Sequence, residues 1–455
     1  MREAPAALEL ASRALAAVPG EEAEASVHCE RSGFARFAAS TVHQPTLVQD
    51  ENVTLRVVRD GKVGSVSTNR TDDEGLREAG ARACAAADSA RPDPSFPGLA
   101  PPASPPDVEG WDEATAALPP EELAARAWTA IEAAGDIGLY GYFTCGETQL
   151  AVASTTGLSV SQAMTDATLV ALAADEERSG YASTSAWQAD SLDLERFARE
   201  AAETASRTAD AGEIEPGTLR AVLSPWAFGE LLWYFGIGTF GALPFLEERS
   251  YFSGRIGERM FSESFTLTDD ALDPRGLPKA FDLDGVPKQR VPLVENGVVT
   301  DVVWDRKTAA RAGRESTGHS LGAAGSGYGP IAFNLSVAGG EAASVDELAE
   351  TVGDGIYVTR LHYVNIVDSR EGILTGMTRD GTFRIEDGRV TTPLVNLRFT
   401  TSVPGVVAWL LALSRDTTLV NTSDFYDERY PYGAVVPAIA TEAFTIVGTG
   451  SAPGL

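Results

Sequence analysis

Three Asp-Gly or Asn-Gly pairs, each set between runs of alternating apolar residues, constrain the fold of this chain more than any other feature. The pairs are Asp60-Gly61, Asn296-Gly297 and Asp387-Gly388. Residues of these types tolerate the positive φ angles of a two-residue turn, and the twist of that turn matches two antiparallel strands. The sequence therefore predicts β-hairpins in both halves of the chain.

Helical segments accompany the first hairpin. An apolar face from Leu8 to Val18 indicates an N-terminal helix, which ends before the breaker pair Pro19-Gly20. Further amphipathic segments lie at 72–90, 119–135 and 193–212. The proline-dense stretch 91–110 can be neither helix nor interior strand, so it is interpreted as an extended connector. Residues 1–217 are therefore expected to form one α+β domain with an antiparallel sheet and helices.

The remaining residues, 218–455, form short β segments separated by Gly and Asn turns. This pattern predicts a mostly antiparallel β domain, folded as a sandwich or a barrel-like body. Four helices are expected, at Ser224–Phe235, Lys307–Ala312, Ser344–Val352 and Val406–Leu413. The last belongs to the apolar run "VVAWLLALS", which is interpreted as a core helix or as part of a subunit interface.

Charge and cysteine content exclude several classes of protein. The formal net charge is −29, from 65 acidic and 36 basic residues, and such a polyanion is repelled by nucleic acids and by anionic membranes. The three cysteines form no CxxC pair, which argues against a disulfide framework and a cysteine zinc cluster. No run of about eighteen apolar residues occurs. We therefore expect a cytoplasmic protein without nucleic-acid or membrane partners.

The second half carries a series of short motifs that identify a family. "FDLDGVP", "LVENGVV" and "ESTG" occur in that order, followed by "GIYVTRLHYVN" and "GTFRIEDGRVTTPLVNLRFT". The segment "GFARFAASTVHQPTLVQDENVTLRVVRDGKVGSVSTNR" in the first half fits the same family. The chain resembles the TldD/PmbA family of intracellular peptidase-like proteins, once named modulators of DNA gyrase, over nearly its whole length.

The resemblance gives meaning to the segment "LLWYFGIGTF" at 231–240. In the TldD branch a helix at this place carries HExxxH, whose histidines hold zinc while its glutamate acts as general base. The corresponding positions here are Trp233, Tyr234 and Gly238, and no cysteine follows Cys145 to supply the late ligand of that branch. The chain is therefore similar to the PmbA (TldE) branch, whose members resemble non-catalytic partners of a zinc-bearing TldD subunit.

This resemblance implies a substrate cavity rather than a metal site on this chain. Trp233, Tyr234, His319 and His362 are the candidate cavity residues, and no residue is assigned to catalysis or to a metal. The aromatic residues have an alternative interpretation as plain core, and the histidines as satisfied or surface residues. A displaced metal site of His319 and His362 with Asp or Glu is a further alternative, although these residues lack ligand spacing on one element.

Three functional hypotheses follow. In the first, the chain needs no cofactor of its own, closes the cavity of a TldD-like zinc peptidase subunit and holds an extended peptide by strand addition. In the second, it is an autonomous metallopeptidase or hydrolase of a specialised pathway, with an unrecognised metal site. In the third, it is a regulatory binding protein. The sequence leaves open whether the chain forms homodimers or heterodimers.

The charge balance generates the first prediction. Duplex DNA should not bind at physiological salt, because a chain with 65 acidic and 36 basic residues has no excess of cationic groups to release counterions from phosphates. A mobility-shift titration checks this. Tight binding that weakens steeply with added salt would contradict it.

Overall fold

The structure, a computed structural model, describes residues 1–423 and 428–450. Its first half is built on a six-stranded antiparallel sheet in the order β3-β2-β1-β4-β5-β6. The strands are β1 (Glu22–Ala38), β2 (Thr41–Arg59), β3 (Lys62–Thr68), β4 (Gly138–Ser154), β5 (Ser159–Ala174) and β6 (Ser179–Ala186). The α+β architecture predicted for this half is confirmed.

Five helices and a short 3-10 turn at Ala189–Ser191 accompany this sheet. The helices are α1 (Pro5–Ala16), α2 (Asp73–Ser89), α3 (Glu113–Ala116), α4 (Pro120–Ala134) and α5 (Leu194–Ser206). Helix α2 begins where the side chain of Asp72 accepts hydrogen bonds from the backbone N–H groups of Glu74 and Gly75. The connector at 91–110 contains no helix or strand.

The two faces of β1 have different environments, because successive residues of a strand point to opposite sides. Ala25 and Val27 belong to the apolar core under α1 and α2. Glu24 and His28 point the other way. His28 contacts the backbone of Arg429 in the second half, and Glu24 pairs with Arg56 of β2, which pairs in turn with Asp284 of the second half. The period-two pattern of β1 therefore gives the sheet one face for its own helices and one face for the second half.

In the second half, residues 218–423 and 428–450, together with Gly217, form a larger mixed sheet of eleven strands. The strands are β7 (Gly217–Leu223), β8 (Leu267–Asp269), β9 (Val291–Glu295), β10 (Val298–Val299), β11 (Asn334–Val337), β12 (Gly355–Asp368), β13 (Ile373–Glu386), β14 (Arg389–Leu394), β15 (Leu397–Ser402), β16 (Leu410–Asn421) and β17 (Gly433–Thr449). Five of them pair in the circular order β7-β12-β13-β15-β17, and β17 pairs again with β7. This ring closes a barrel, as the barrel-like prediction requires.

All three predicted Asp-Gly and Asn-Gly turns are present. Both residues of each pair have positive φ, for example 51° at Asp60 and 73° at Gly61. They join β2 to β3, β9 to β10 and β13 to β14. The sheet also contains two parallel pairings, β7 with β12 and β11 with β17, which local turn signals did not indicate. The division into domains at residue 217 stays a prediction, since a single apolar cluster includes residues from both halves.

The described residues of the second half form six helices. They are α6 (Pro225–Thr239), α7 (Ala242–Leu246), α8 (Arg306–Ala312), α9 (Gly322–Gly325), α10 (Val345–Val352) and α11 (Val403–Ala408). Three of the four predicted helices, those that correspond to α6, α8 and α10, are confirmed. Within the described part of the chain, no helix is long and apolar enough to cross a membrane.

The prediction of a helix at Val406–Leu413 is wrong beyond Ala408. Trp409 ends α11 and is 61% exposed, and the apolar residues after it continue as strand β16, which pairs with β17. A short apolar run does not reveal its own period, so a helix and a buried strand look alike in sequence. Pairing with the long strand β17 decided the outcome.

Arg429 joins the two halves by a buried ion pair. Its guanidinium donates from Nε and Nη2 to the two carboxylate oxygens of Asp166 at 2.7 and 2.6 Å, and from Nη1 to Thr144 Oγ1 at 3.0 Å. Arg429 and Asp166 are both 1% exposed. The backbone oxygen of Arg429 accepts hydrogen bonds from His28 and Thr148. These contacts fix the segment 428–432 against the sheet of the first half.

This ion pair generates the second prediction. Arg429→Met should lower the free energy of unfolding by about 3–5 kcal/mol, because it leaves the carboxylate of Asp166 buried without its charge partner. Urea unfolding measures the loss. Arg389→Met, at an exposed arginine, is the matched control and should be nearly neutral. A loss below about 1 kcal/mol for Arg429→Met would contradict the role assigned to the pair.

Candidate functional site

Helix α6 carries three of the predicted site positions. Ser224 caps it by accepting a hydrogen bond from the N–H of Ala227, and Pro225 occupies its first turn. Most of its residues are buried, and it packs against β12 and β17 of the barrel. At its start, Trp226 donates from Nε1 to the backbone oxygen of Ser183 at 3.2 Å. The helix therefore lies where the barrel meets the sheet of the first half.

Trp233 is half-buried in an aromatic cluster, which we define as Trp233, Phe333, Tyr430 and Tyr432. Its ring stacks on Phe333 with centroids 5.8 Å apart and contacts Tyr432 at 4.9 Å. Phe333 also contacts Tyr432 at 4.5 Å and Tyr430 at 5.9 Å. Aromatic pairs at these separations add stability beyond the area that they bury. Trp233 thus forms one wall of a packed but partly accessible surface.

Gly238 lies one turn further along α6 and close to the β12–β13 connection. A Cβ atom built on Gly238 would come within 2.9 Å of Ser369 Oγ and 3.1 Å of Ser369 Cβ. A histidine at this position would therefore require Ser369 to move. The structure explains the glycine by this close approach.

Tyr234 is half-buried beside Glu230, which precedes it by one helical turn. Burial, and then the negative charge of Glu230, raise the pKa of the Tyr234 phenol. Burial also raises the pKa of Glu230 from its ordinary value of 4.5 to about 7, against the opposing charge of Arg360. Among residues 1–423 and 428–450, the Glu230 carboxylate has no hydrogen bond or ion pair. A carboxyl group in this state can donate or accept a proton near neutral pH.

Arg360 connects this part of α6 to His362 on β12. Its guanidinium donates to Asp380 Oδ2 at 2.7 Å and lies 3.9 Å from the ring centroid of Tyr181. Burial lowers the pKa of His362, and the charges of Arg379 and Arg360 lower it further. The charge of Arg360 therefore acts both on Glu230, the neighbour of Tyr234 on α6, and on His362, a predicted cavity residue.

His319 has a different environment. It is 1% exposed, and both ring nitrogens have partners: Nε2 is 2.8 Å from Asp269 Oδ1, and Nδ1 is 2.9 Å from Thr317 Oγ1. Burial, and then the nearby charge of Lys288, lower its pKa. These contacts agree with the alternative of a satisfied histidine. The structure does not bring His319 together with His362, and a cavity role for His319 stays a prediction.

Glu230 is the residue that the sequence argument missed. It is the single charged residue of α6, in "PWAFGELLWYFGIGT". The available signal was a lone carboxylate on a helix that is otherwise apolar. Burying an unpaired carboxylate is energetically costly, so such a residue points to a binding partner or a functional role. Its role as part of the site could have been suspected from that pattern alone.

The residues at the motif positions do not fit a zinc ion. Trp233, Tyr234 and Gly238 offer neither the imidazoles nor the carboxylate of HExxxH, and the place of one imidazole is closed by Ser369. In the part of the chain that is described, no group of three His, Cys, Asp or Glu side chains is arranged to hold a metal. No step through a metal is therefore derived for α6.

The fold and the site define a two-part protein in which a closed barrel carries the site helix. Models of PmbA/TldA metallopeptidases match domain 1 at residues 23–87, the central domain at 112–209 and the C-terminal domain at 216–448. This chain belongs to the PmbA/TldD metallopeptidase family.

Solved structures agree in fold. TldE from Thermococcus kodakarensis superposes with a TM-score of 0.85 at 21% identity and covers 97% of this chain and 99% of its own. A proposed modulator of a DNA gyrase from Thermotoga maritima gives a TM-score of 0.83 at 20% identity, with 96% and 99% covered. At these identities the likeness establishes the fold alone.

Sequence relatives match over shorter segments. A metalloprotease of Methanothermobacter thermautotrophicus is 29% identical over 46% of each chain. A metalloprotease TldD homologue of Buchnera aphidicola is 26% identical over 56% of this chain and 53% of its own. The matches thus span about half the length of these curated relatives.

The environment of Glu230 generates the third prediction. A pKa raised by folding means that the group favours the folded state when protonated, and that this contribution is lost as the pH rises from about 4.5 through about 7. Glu230→Gln removes the ionisation. Its stability relative to the wild type should therefore increase between pH 5 and pH 8, by on the order of 1–3 kcal/mol.

Urea unfolding at both pH values measures this difference. Other buried carboxyl groups with raised pKa, such as Glu24 and Asp282, contribute equally to the pH dependence of both proteins, so their contributions cancel in the comparison with the wild type. Glu203→Gln, at an exposed glutamate of α5, is the control and should show no pH-dependent difference. Parallel pH profiles for Glu230→Gln and the wild type would refute the assignment.

Proposed function

We propose that this chain is a PmbA/TldE-type subunit without a zinc ion of its own, and that it supports peptide binding by a zinc-bearing TldD-like partner. The observation that carries the proposal is the state of α6: aromatic packing at Trp233 and the close approach of Gly238 to Ser369 stand where the family motif requires ligands. Family membership supplies the metallopeptidase context. The pair would act on peptides in the cytoplasm.

In this proposal, α6 contributes to a peptide-binding surface in two ways. The exposed part of the Trp233 ring offers an apolar contact for a peptide side chain. Tyr234 and Glu230 lie next to it and can exchange hydrogen bonds with peptide N–H and C=O groups, which satisfies polar groups that binding would otherwise bury. Such contacts tolerate many sequences, as strand addition does.

A second candidate function has one observation in its favour. Glu230 is a carboxyl group with a pKa of about 7 beside a phenol and a guanidinium, which are groups that an autonomous hydrolase needs for acid-base chemistry. Among the described residues, however, Glu230 belongs to no group of three His, Cys, Asp or Glu side chains that could hold a metal ion. We therefore rank the supporting subunit first.

The fourth prediction tests the proposal. The purified chain should contain no stoichiometric zinc and cleave no peptide, whereas a complex with a TldD-like chain from the same cell should hold zinc on the partner and cleave peptides. Tyr234→Ala should weaken peptide binding by the complex about tenfold, as expected for the loss of one hydrogen-bonding aromatic contact. Co-purification, elemental analysis after dialysis and cleavage kinetics provide the measurements.

A matched control separates cavity contacts from loss of fold. Tyr140→Ala, at a half-buried tyrosine of β4 in the first half, removes a similar side chain away from α6 and should leave peptide affinity unchanged. About one zinc per isolated chain would refute the proposal. Cleavage by the isolated chain that is abolished by Glu230→Gln would establish the hydrolase instead.

A further inference from the structure

A second cavity lies between the two halves of the molecule; it shares Phe333 and Tyr430 with the aromatic cluster but is not lined by α6. Its volume is about 250 Å³. One wall is the face of β1 and β2 that points away from the helices, and the opposite wall comes from loops of the second half, including Phe281, Leu283 and Tyr430. The cavity is smaller than the roughly 300–1,000 Å³ of sites for drug-sized ligands, so it suits a small molecule or one end of a larger one.

The wall on the sheet is polar, and its side chains are aligned by strand register. His28 on β1 is directly opposite Asn52 on β2, and both side chains line the cavity. Residues paired in this way have Cβ atoms about 4.5–5.5 Å apart. Glu428, from the segment anchored by Arg429, reaches the same place: Asn52 Nδ2 donates to Glu428 Oε1 at 2.7 Å. Three polar side chains from distant parts of the chain therefore meet at one point.

Besides the hydrogen bond from Asn52 Nδ2 to Glu428 Oε1, these side chains present acceptors that lack a donor. His28 Nε2 is 3.0 Å from the backbone oxygen of Arg429, and it must carry the proton because a carbonyl oxygen only accepts. When the ring is neutral, its other nitrogen, Nδ1, is an acceptor, and it lies 3.7 Å from Glu428 Oε2, which is also an acceptor. Asn52 Oδ1 is buried and accepts no hydrogen bond from any described residue.

A ligand with several N–H donors on a positive charge would satisfy all three acceptors. A primary ammonium group has three donors and fits that requirement, because each N–H can point to a different oxygen or nitrogen. Hydrogen bonds from a charged donor to a carboxylate are stronger than those between neutral groups. The apolar wall of Phe281, Leu283 and Phe333 would pack against the remainder of the ligand.

We propose that this cavity binds a primary ammonium group carried on an apolar body, with the ammonium held by Asn52 Oδ1, His28 Nδ1 and the carboxylate of Glu428. The site goes beyond the proposed function, since it needs neither zinc nor a partner subunit. The same chemistry occurs in a free aromatic or aliphatic amine and in the N-terminus of a peptide that begins with an apolar residue.

The test uses 2-phenylethylammonium as probe on the full chain, with binding measured by calorimetry at pH 8. It should bind with one site per chain. The N,N,N-trimethyl derivative keeps the charge and the ring but has no N–H donor, and it should bind at least about tenfold more weakly. This comparison matters because a chain with net charge −29 attracts any cation weakly. Equal binding of the two probes would overturn the proposal.

Two variants locate the site. Glu428→Gln and Asn52→Leu should each weaken binding of 2-phenylethylammonium about tenfold or more, because each removes one acceptor of the ammonium. Glu341→Gln, at an exposed glutamate outside the cavity, removes the same charge as Glu428→Gln and should bind like the wild type. Circular dichroism checks that the variants are folded. Unchanged affinity in a folded Glu428→Gln variant would overturn the proposal even if Asn52→Leu did not fold.

A second pair of probes distinguishes the two sources of the ammonium. Phe-Gly-Gly has a free N-terminus, and its N-acetylated form has none. If Phe-Gly-Gly binds and competes with 2-phenylethylammonium while the acetylated form does not, the site accepts peptide N-termini. If neither peptide binds but the amine does, the site is specific for small amines. Equal binding of the free and acetylated peptides in competition with the amine would contradict recognition of an ammonium group.

Discussion

The ion pair between Arg429 and Asp166 is the interaction on which the functional surfaces of this molecule depend. A buried charge pair is stable only when its hydrogen-bonding groups are satisfied, and here Asp166, Thr144 and the backbone contacts of Arg429 provide that satisfaction. The pair holds the segment 428–432 on the sheet of the first half. The same segment supplies Tyr430 and Tyr432 to the aromatic cluster and the carboxylate of Glu428 to the cavity between the halves.

Close packing accounts for the residues at two of the motif positions on α6. Trp233 presents a large flat surface, and Phe333 and Tyr432 provide rings at stacking distance. Gly238 allows the helix to approach Ser369 closely. Both features make a histidine unfavourable at these two positions, because the substitution would disrupt a packed contact. The glutamate that remains on the helix, Glu230, lies one turn before the position at which the family motif has its own.

Local signals in the sequence predicted local structure well. The Asp-Gly and Asn-Gly pairs identified three hairpins, and the Ser224-Pro225 start identified α6, because each signal acts within a few residues. The sequence suggested a barrel-like body but not which strands close it. The closing strands, β7 and β17, are more than two hundred residues apart, and no local signal reports such a pairing. The segment Val406–Leu413 begins as helix and continues as strand, because its second part pairs with the same long strand, β17.

Candidate site residues could be assigned from the sequence only where a family motif named their positions. Trp233, Tyr234 and Gly238 were placed through family resemblance, whereas His28, Asn52 and Glu428 meet through strand register and the Arg429 anchor, which no local pattern reveals. The two surfaces also share one ring. Phe333 stacks on Trp233 and lines the cavity next to Tyr430. Because interiors are close-packed, a ligand that displaces this ring at one surface changes the space available at the other, so the two surfaces are not structurally independent.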